Sequence, residues 1–280
     1  MVAPTEMRAV TRWRDGIASA ARREVAEETA VALTYGGSTQ AVMMASPCDL
    51  EDFAVGFSLT EGIVTSAAEI EHIDIVETEL GLDIQMRLAS PRSAAFVSRR
   101  RAMAGPVGCG LCGIESLAEA MRPLPAVAPD GRRVKADVIA NALRRLPKAQ
   151  VLNRATRAVH GAAFATPAGF FAMREDVGRH NALDKLVGAL ARSGVDPAAG
   201  FIMVTSRLSV EMVQKAAIFG TPVLVAVSAP TALAARSAEA AGMTLVAVAR
   251  EDGFEVVTRP DRIDFTRLDA DAEDGQFDVA

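Results

Sequence analysis

The hydrophobic positions change rhythm along the chain. In the first half they come in short, interrupted runs. Val31–Leu33 and Ala41–Ala45 flank the turn-prone Tyr-Gly-Gly-Ser and predict a hairpin. Leu50, Phe53, Ala54 and Phe57, with Leu59 after them, fall near helical spacing, and Gly62 is a natural stop. Ile73 and Ile75, then Ile84, Met86 and Leu88, alternate with polar residues as half-buried strands do. The stretch from Ser98 to Gly113 is basic and then glycine-rich. Ile114, Leu117, Ala118 and Met121 after it predict a short amphipathic helix. The second half reads more strongly. Val138–Leu146 has helical spacing, Ala158–Ala165 and Gly169–Arg174 read as a strand pair, and Asn181–Arg192 as a helix ending near Gly194. Phe201-Ile-Met-Val-Thr-Ser206, Pro222–Ala229 and Met243–Arg250 are continuous apolar runs of strand length, separated by helical stretches at Val210–Phe219 and Ala232–Ala241. Strands without alternation, spaced by helices, predict a mostly parallel sheet covered on both faces. Phe254–Thr258 adds a candidate edge strand.

These elements divide the chain into a polar N-terminal segment (1–30) expected to fray, a smaller α+β domain (31–122), a proline-rich linker (123–132), an α/β domain (133–267) and an acidic tail (268–280). Composition changes little in this picture. Half of the residues are hydrophobic and 23% are charged, which excludes disorder along the whole length. The formal net charge of −5 gives no global basic field for nucleic acid. The first twenty residues have no apolar core of a signal peptide, and no run approaches the ~18 apolar residues of a membrane span. The expectation is a cytoplasmic protein that engages neither nucleic acid nor membrane. Cys48, Cys109 and Cys112 are too few for a secreted disulfide framework.

Candidate chemistry concentrates in three places. The first is Gly-Cys-Gly-Leu-Cys-Gly, Gly108 to Gly113. Its glycines leave the backbone free and approachable. A helix starting after Cys112, together with Arg99, Arg100 and Arg101, would favour a thiolate. Four readings remain open for this pair: half of a structural zinc site, a dithiol/disulfide redox couple, a persulfide carrier, or a glycine-rich turn with incidental thiols. Zinc needs about two more ligands, and the remaining Cys and His residues are scattered singly. The second place is Glu175 to Lys185, where Gly178, Arg179, His180 and Asn181 would open a helix and offer amides and a guanidinium to an anion. The alternative there is a capping cluster with solvated charges. The third comprises the strand ends Thr205-Ser206-Arg207, Ser228 and Arg250, where open parallel sheets bind ligands. Each hydroxyl taken alone reads equally well as an N-cap. His160 lies in an apolar stretch and reads as a core histidine. A zinc deaminase would need H-x-E followed by P-C-x-x-C, but position 162 is alanine and the CxxC comes earlier, after Gly108. Cys48 reads as structural.

Taken in order, DLEDFAVGFSLTEGI, GCGLCG, EDVGRHNALDK, TSRLSVEMVQKAA and SAPTALAARSAEAAGMTLVAVAR resemble the formate dehydrogenase accessory sulfurtransferases, the FdhD/NarQ family, from about Thr34 to Ile263. The resemblance implies a cytidine-deaminase-like three-layer α/β domain without deaminase chemistry, preceded by the smaller α+β domain. It also implies a homodimer. The implied function is to carry sulfur from a cysteine desulfurase, as a persulfide, to a molybdenum bis(molybdopterin guanine dinucleotide) cofactor destined for the formate dehydrogenase catalytic subunit. By the same resemblance Cys109 holds the persulfide and Cys112 assists. Val248, Ala249, Arg250, Glu251, Asp252 and Gly253 correspond to the family's cofactor-binding stretch, and no resident metal is implied. Relatives read Gly-Phe-x-Arg there, whereas this chain has Ala247-Val248 ahead of a retained Arg250. A non-catalytic cofactor chaperone and a thiol–disulfide oxidoreductase are the alternatives.

Overall fold

The computed structural model describes residues 2–89, 123–127 and 131–266. The expected CxxC loop, with Cys109, Cys112 and Arg99–Arg101, and the helix expected at 114–121 lie outside the described residues, as does the acidic tail beyond residue 266.

The N-terminal segment is not frayed. Strands β1 (Thr5–Arg14) and β2 (Ile17–Ala26) pair antiparallel over their full length as a separate two-stranded sheet. Sequence pattern missed this ribbon because most of its side chains are exposed on both faces, so no apolar alternation marks it. Such a ribbon is marginal alone; its base is held where Arg23 donates to the Thr156 carbonyl at 3.1 Å.

Next comes the predicted hairpin, β3 (Thr29–Tyr35) and β4 (Ser38–Ala45), and after helix α1 (Leu50–Thr60) the strands β5 (Ile70–Thr78) and β6 (Gly81–Leu88). They form a four-stranded sheet in the order β4-β3-β6-β5, with β3 and β6 parallel. Leu50, Phe53, Ala54 and Phe57 of α1 pack on its inner face with Val31, Leu33 and Ile84.

The second half holds β7 (Val134–Lys135), α2 (Ala136–Ala149), α3 (Val151–Thr156), β8 (His160–Ala165), β9 (Phe171–Asp176), α4 (Arg179–Arg192), β10 (Phe201–Val204), α5 (Val210–Phe219), β11 (Val223–Ala226), α6 (Ala232–Ala241), β12 (Thr244–Arg250), β13 (Gly253–Val256) and β14 (Ile263–Asp264). The six-stranded sheet runs β13-β12-β11-β10-β8-β9. It is mixed rather than mostly parallel: β10, β11 and β12 are parallel, but β8 is antiparallel to both its neighbours, and β13 is antiparallel to β12. The parallel expectation held for the three strands joined by helices. It failed where a short loop, 166–170, joins β8 directly to β9, because such a connection can only reverse the chain.

Three layers result. Ile202, Val204, Leu224, Ala226 and Leu245 face α4, α5 and α6, while Phe201, Met203, Val223, Val225 and Val246 face the α2 side. Both faces are buried, which is why these strands read as unbroken apolar runs.

The two halves meet where α1 crosses α4. A Cβ on Gly56 would lie 1.7 Å from the Asp184 carbonyl oxygen, and one on Gly188 would lie 1.9 Å from that of Asp52. The backbones touch, so only glycine fits at either position. α1 is thereby shared between the small sheet and the large domain.

Candidate functional site

The mixed topology still sets one edge apart. β9, β10, β11 and β12 all end there, and β8 begins there. The turn after β9, residues 177–178, leads directly into α4, whose first-turn amides point outward without intrahelical acceptors. Gly178 is the N-cap, and a Cβ there would crowd the Asn181 amide at 2.7 Å.

Beneath that turn lies a network that the sequence did not reveal. Asp176 is fully buried and accepts from the backbone amides of Ser46 (2.9 Å) and Gly178 (2.7 Å) and from Asn181 Nδ2 (3.0 Å). Its partner is the equally buried Lys185, with Nζ 2.6 Å from Asp176 Oδ2. Lys185 also donates to the Ser46 carbonyl at 2.9 Å. Ser46 Oγ in turn accepts from the Val177 amide at 3.1 Å, and Asn181 Nδ2 donates to the Met44 carbonyl at 2.8 Å. The end of β4 thus clasps the β9–α4 turn from below. Of the predicted anion-binding group, the side chains of Gly178's neighbours separate: Asn181 is turned inward at 2% exposure, so only its backbone amide could meet a ligand.

A second buried network stands one turn along α4. Asp184 accepts from Thr60 Oγ1 at 2.7 Å and pairs with Lys215 Nζ at 3.0 Å, which also reaches Glu61 at 2.8 Å. Burial raises the Asp184 carboxyl to about 6 despite the Lys215 charge. The Lys215 ammonium is held above its ordinary range, since Asp184 and Glu61 outweigh the cost of burying it. Glycine apart, these residues explain why polar positions of Glu175–Lys185 and of α5 are internal and not solvated.

The strand ends are mixed in their availability. Thr205 is committed in part, its Oγ1 accepting from the Gly161 amide at 2.9 Å and its amide donating to the Gly161 carbonyl at 3.0 Å. Ser206 is buried and donates to the Arg207 carbonyl at 3.1 Å, whereas the Arg207 side chain is exposed. Ser228 is half-buried, and its carbonyl accepts from the Val248 amide at 3.2 Å. The helix that follows is capped by Thr231, which accepts from the Ala234 amide, so Ser228 is not consumed as a cap. Val248 has φ 49°, left-handed backbone that a β-branched side chain rarely adopts. It sits at a register shift between Ala247 and Arg250. Strain of that kind, costing about 1–3 kcal/mol, collects at binding and catalytic sites. Ala249 is buried, Arg250 folds back on the Val227 and Ala249 carbonyls, and Glu251, Asp252 and Gly253 form the exposed tip of the β12–β13 hairpin.

Among the described residues, the fold therefore brings the predicted groups at the β9–α4 turn and at the strand ends to one edge but spreads them along it. Four strand spacings separate β9 from β12, roughly 19 Å at ~4.8 Å per strand. A single phosphate cannot bridge that distance; an extended ligand with several anionic groups can. His160 starts β8 on the same edge and is half-buried. Burial, then the Arg179 charge, lowers its pKa. Cys48 is half-buried, 3.9 Å from Lys185 Nζ, and burial raises its pKa, as expected for a structural thiol. Among the described residues no group of three or more His, Cys, Asp or Glu side chains is placed to hold a metal ion, and no helix is long and apolar enough to cross a membrane.

A family model described as FdhD/NarQ family matches residues 26–264. A protein of Agrobacterium fabrum named Sulfur carrier protein FdhD is 56% identical over 254 residues, covering 90% of this chain and 94% of its own. One of the same name from Bordetella petrii is 49% identical over 258 residues, covering 91% and 92%. A crystal structure described as a formate dehydrogenase accessory protein from Desulfotalea psychrophila superposes with a TM-score of 0.75 at 26% identity, over 93% of this chain and 100% of that one.

Proposed function

The chain belongs to the FdhD/NarQ family, and on that basis we propose that it is a sulfur carrier that serves formate dehydrogenase. Cys109 accepts a sulfur atom from the persulfide of a cysteine desulfurase. The Cys109 thiolate attacks the outer sulfur of that persulfide, the donor cysteine leaves as a thiolate, and Cys109 becomes the persulfide. Delivery requires the sulfur to leave as sulfide, which takes two electrons. The Cys112 thiolate supplies them by attacking the inner sulfur of Cys109. A Cys109–Cys112 disulfide forms, hydrosulfide departs to the acceptor, and a cellular dithiol restores both thiols. The acceptor is the molybdenum bis(molybdopterin guanine dinucleotide) cofactor before its insertion into the formate dehydrogenase catalytic subunit, with the carrier working as a homodimer.

The observation that carries the sulfur step is the glycine-bounded CxxC in a chain of this family. The sheet edge supports the choice of acceptor. Its amides, Arg179, Arg207 and strand-end hydroxyls are donors suited to pyrophosphates, and its length of roughly 19 Å suits a ligand with separated anionic groups. The test is sulfur loading with labelled cysteine and a desulfurase. Cys109→Ala is expected to abolish labelling while nucleotide binding survives. Labelled sulfur on the Cys109→Ala protein would overturn the assignment.

A further inference from the structure

The β1–β2 ribbon takes no part in the sulfur step or in the sheet edge, yet its two faces differ sharply. Directly paired residues of an antiparallel ladder share a face, so the register assigns every side chain. One face carries Arg8, Arg12, Arg14 and Arg23 against a single acid, Glu6, which pairs with Arg8 at 2.8 Å. Among the described residues no acid pairs with Arg12 or Arg14. The other face carries Met7, Ala9, Trp13, Ala18 and Ala20, with one arginine and one glutamate toward the root. Trp13, near the tip, is 73% exposed, and Ile17 beside the turn is nearly as open. Ten residues per strand at ~3.4 Å each give an arm roughly 34 Å long.

The arm is rooted beside the candidate site. Its base closes where the Glu27 amide donates to the Pro4 carbonyl at 2.9 Å. Arg23 reaches the carbonyl of Thr156, four residues before His160 opens β8 on the site's edge. On the other side the chain enters β3, whose Thr29 pairs with Ala45, next to the Ser46 that holds Asp176 under the β9–α4 turn. A partner gripped by the arm is thereby set against that edge.

Two-sidedness narrows the partner's chemistry. Arginine and tryptophan are the side chains that anchor protein interfaces. A nucleic acid would meet the arginine face alone and leave Trp13 in water. It would also be repelled by a chain whose net charge is −5. An acidic protein surface with an apolar floor satisfies both faces. We infer that the β1–β2 ribbon is a docking arm that grips such a surface on the formate dehydrogenase catalytic subunit. This deepens the function proposed above and rests on it. The protein that must meet the sheet edge is the one that takes the cofactor from it, whereas the desulfurase must meet Cys109.

The test measures binding of the cofactor-free formate dehydrogenase catalytic subunit to the full chain by biolayer interferometry, with wild type, Arg12→Glu/Arg14→Glu and Trp13→Ala. Sulfur loading by a desulfurase, the urea midpoint and the sedimentation coefficient are measured on the same proteins. Wild type is expected to bind, more weakly as salt rises. Each variant should bind about 10-fold or more weakly, as loss of an interface anchor or reversal of its charge does. Sulfur loading and the urea midpoint should stay at the wild-type level. Arg12→Gln/Arg14→Gln, which removes charge without adding repulsion, gives the same reading should reversal disturb folding. Variants that bind the subunit as tightly as wild type overturn the inference alone, whether the arm then meets a second copy of the chain, read as a changed sedimentation coefficient, or something else. Loss of sulfur loading at an unchanged midpoint assigns the arm to the donor and overturns it too. A wild-type protein that loads sulfur but binds no subunit overturns the docking reading and leaves the sulfur step standing. One that does neither overturns the proposed function as well.

Discussion

Replacing Lys185 with methionine isolates the clasp beneath the β9–α4 turn. The two charges are 2.6 Å apart and neither partner is exposed. At that separation and an effective dielectric constant of ~20, the Coulomb attraction is about 6 kcal/mol. Much of it offsets desolvation, so the pair's net contribution is smaller than that figure. The variant, however, keeps a buried carboxylate and removes its counter-ion. Breaking such a pair from one side costs about 3–5 kcal/mol. Asp176 retains three donors, from Ser46, Gly178 and Asn181, which argues for the lower end, about 3 kcal/mol. Methionine fills similar volume, so cavity formation adds little. Urea unfolding followed by circular dichroism reads the loss as a lower midpoint at unchanged slope. Asp176→Asn in the same background completes a double-mutant cycle. The single losses should not add, with a coupling of about 1–3 kcal/mol. A loss below about 1 kcal/mol, or strict additivity, would show that the pair is not the desolvated unit described.

Gly188→Ala places a methyl group 1.9 Å from the Asp52 carbonyl and must push α1 off α4; a loss of about 3 kcal/mol or more is expected in the same assay, and a neutral result would contradict the backbone contact. His180 gives a pH dependence of definite sign. Its folded pKa, about 4, lies below the ordinary 6.5, so the unfolded chain takes the proton first. Stability present above pH 6.5 is lost as pH falls toward 4, by up to about 3 kcal/mol. Asp184 opposes this, because its raised pKa lets the folded state bind a proton as pH falls through about 6. The wild-type curve alone is therefore uninformative. The difference between wild type and His180→Gln should shift in favour of the variant between pH 6.5 and 4, and a constant difference would refute neutral burial of the ring.

The elements of the large domain were legible because its strands are buried on both faces and its helices carry one apolar side, so burial writes itself into the residue pattern. The hairpin, α1 and the β5–β6 pair were legible for the same reason. The β1–β2 ribbon was not, since exposed strands carry no burial signal. The direction of β8 was also hidden: Ala158–Ala165 reads the same whichever way it runs, and only the short link to β9 decides. In the candidate site, the glycine and arginine at 178–179 and the hydroxyls at the strand ends were legible as polar groups placed where strands end. That Asn181, Asp184 and Lys185 face inward was not announced, because polar residues near a helix start look solvated until something covers them.

Sequence by itself determined which segments form the layers, that Cys109 and Cys112 sit three residues apart between glycines, and that the chain resembles a sulfur-carrying family. Those properties depend on neighbours within a turn or a strand. Tertiary structure alone decided that Ser46 and Thr60 from the first half would complete the carboxylate networks of Asp176 and Asp184 in the second. It also brought His180, Ser209 and Glu211 from two helix starts into one corner. The physical reason is that burial of a charge or of an acceptor is a property of what packs against it. Here that packing is set by two glycines, Gly56 and Gly188, which let helices from opposite halves of the chain touch.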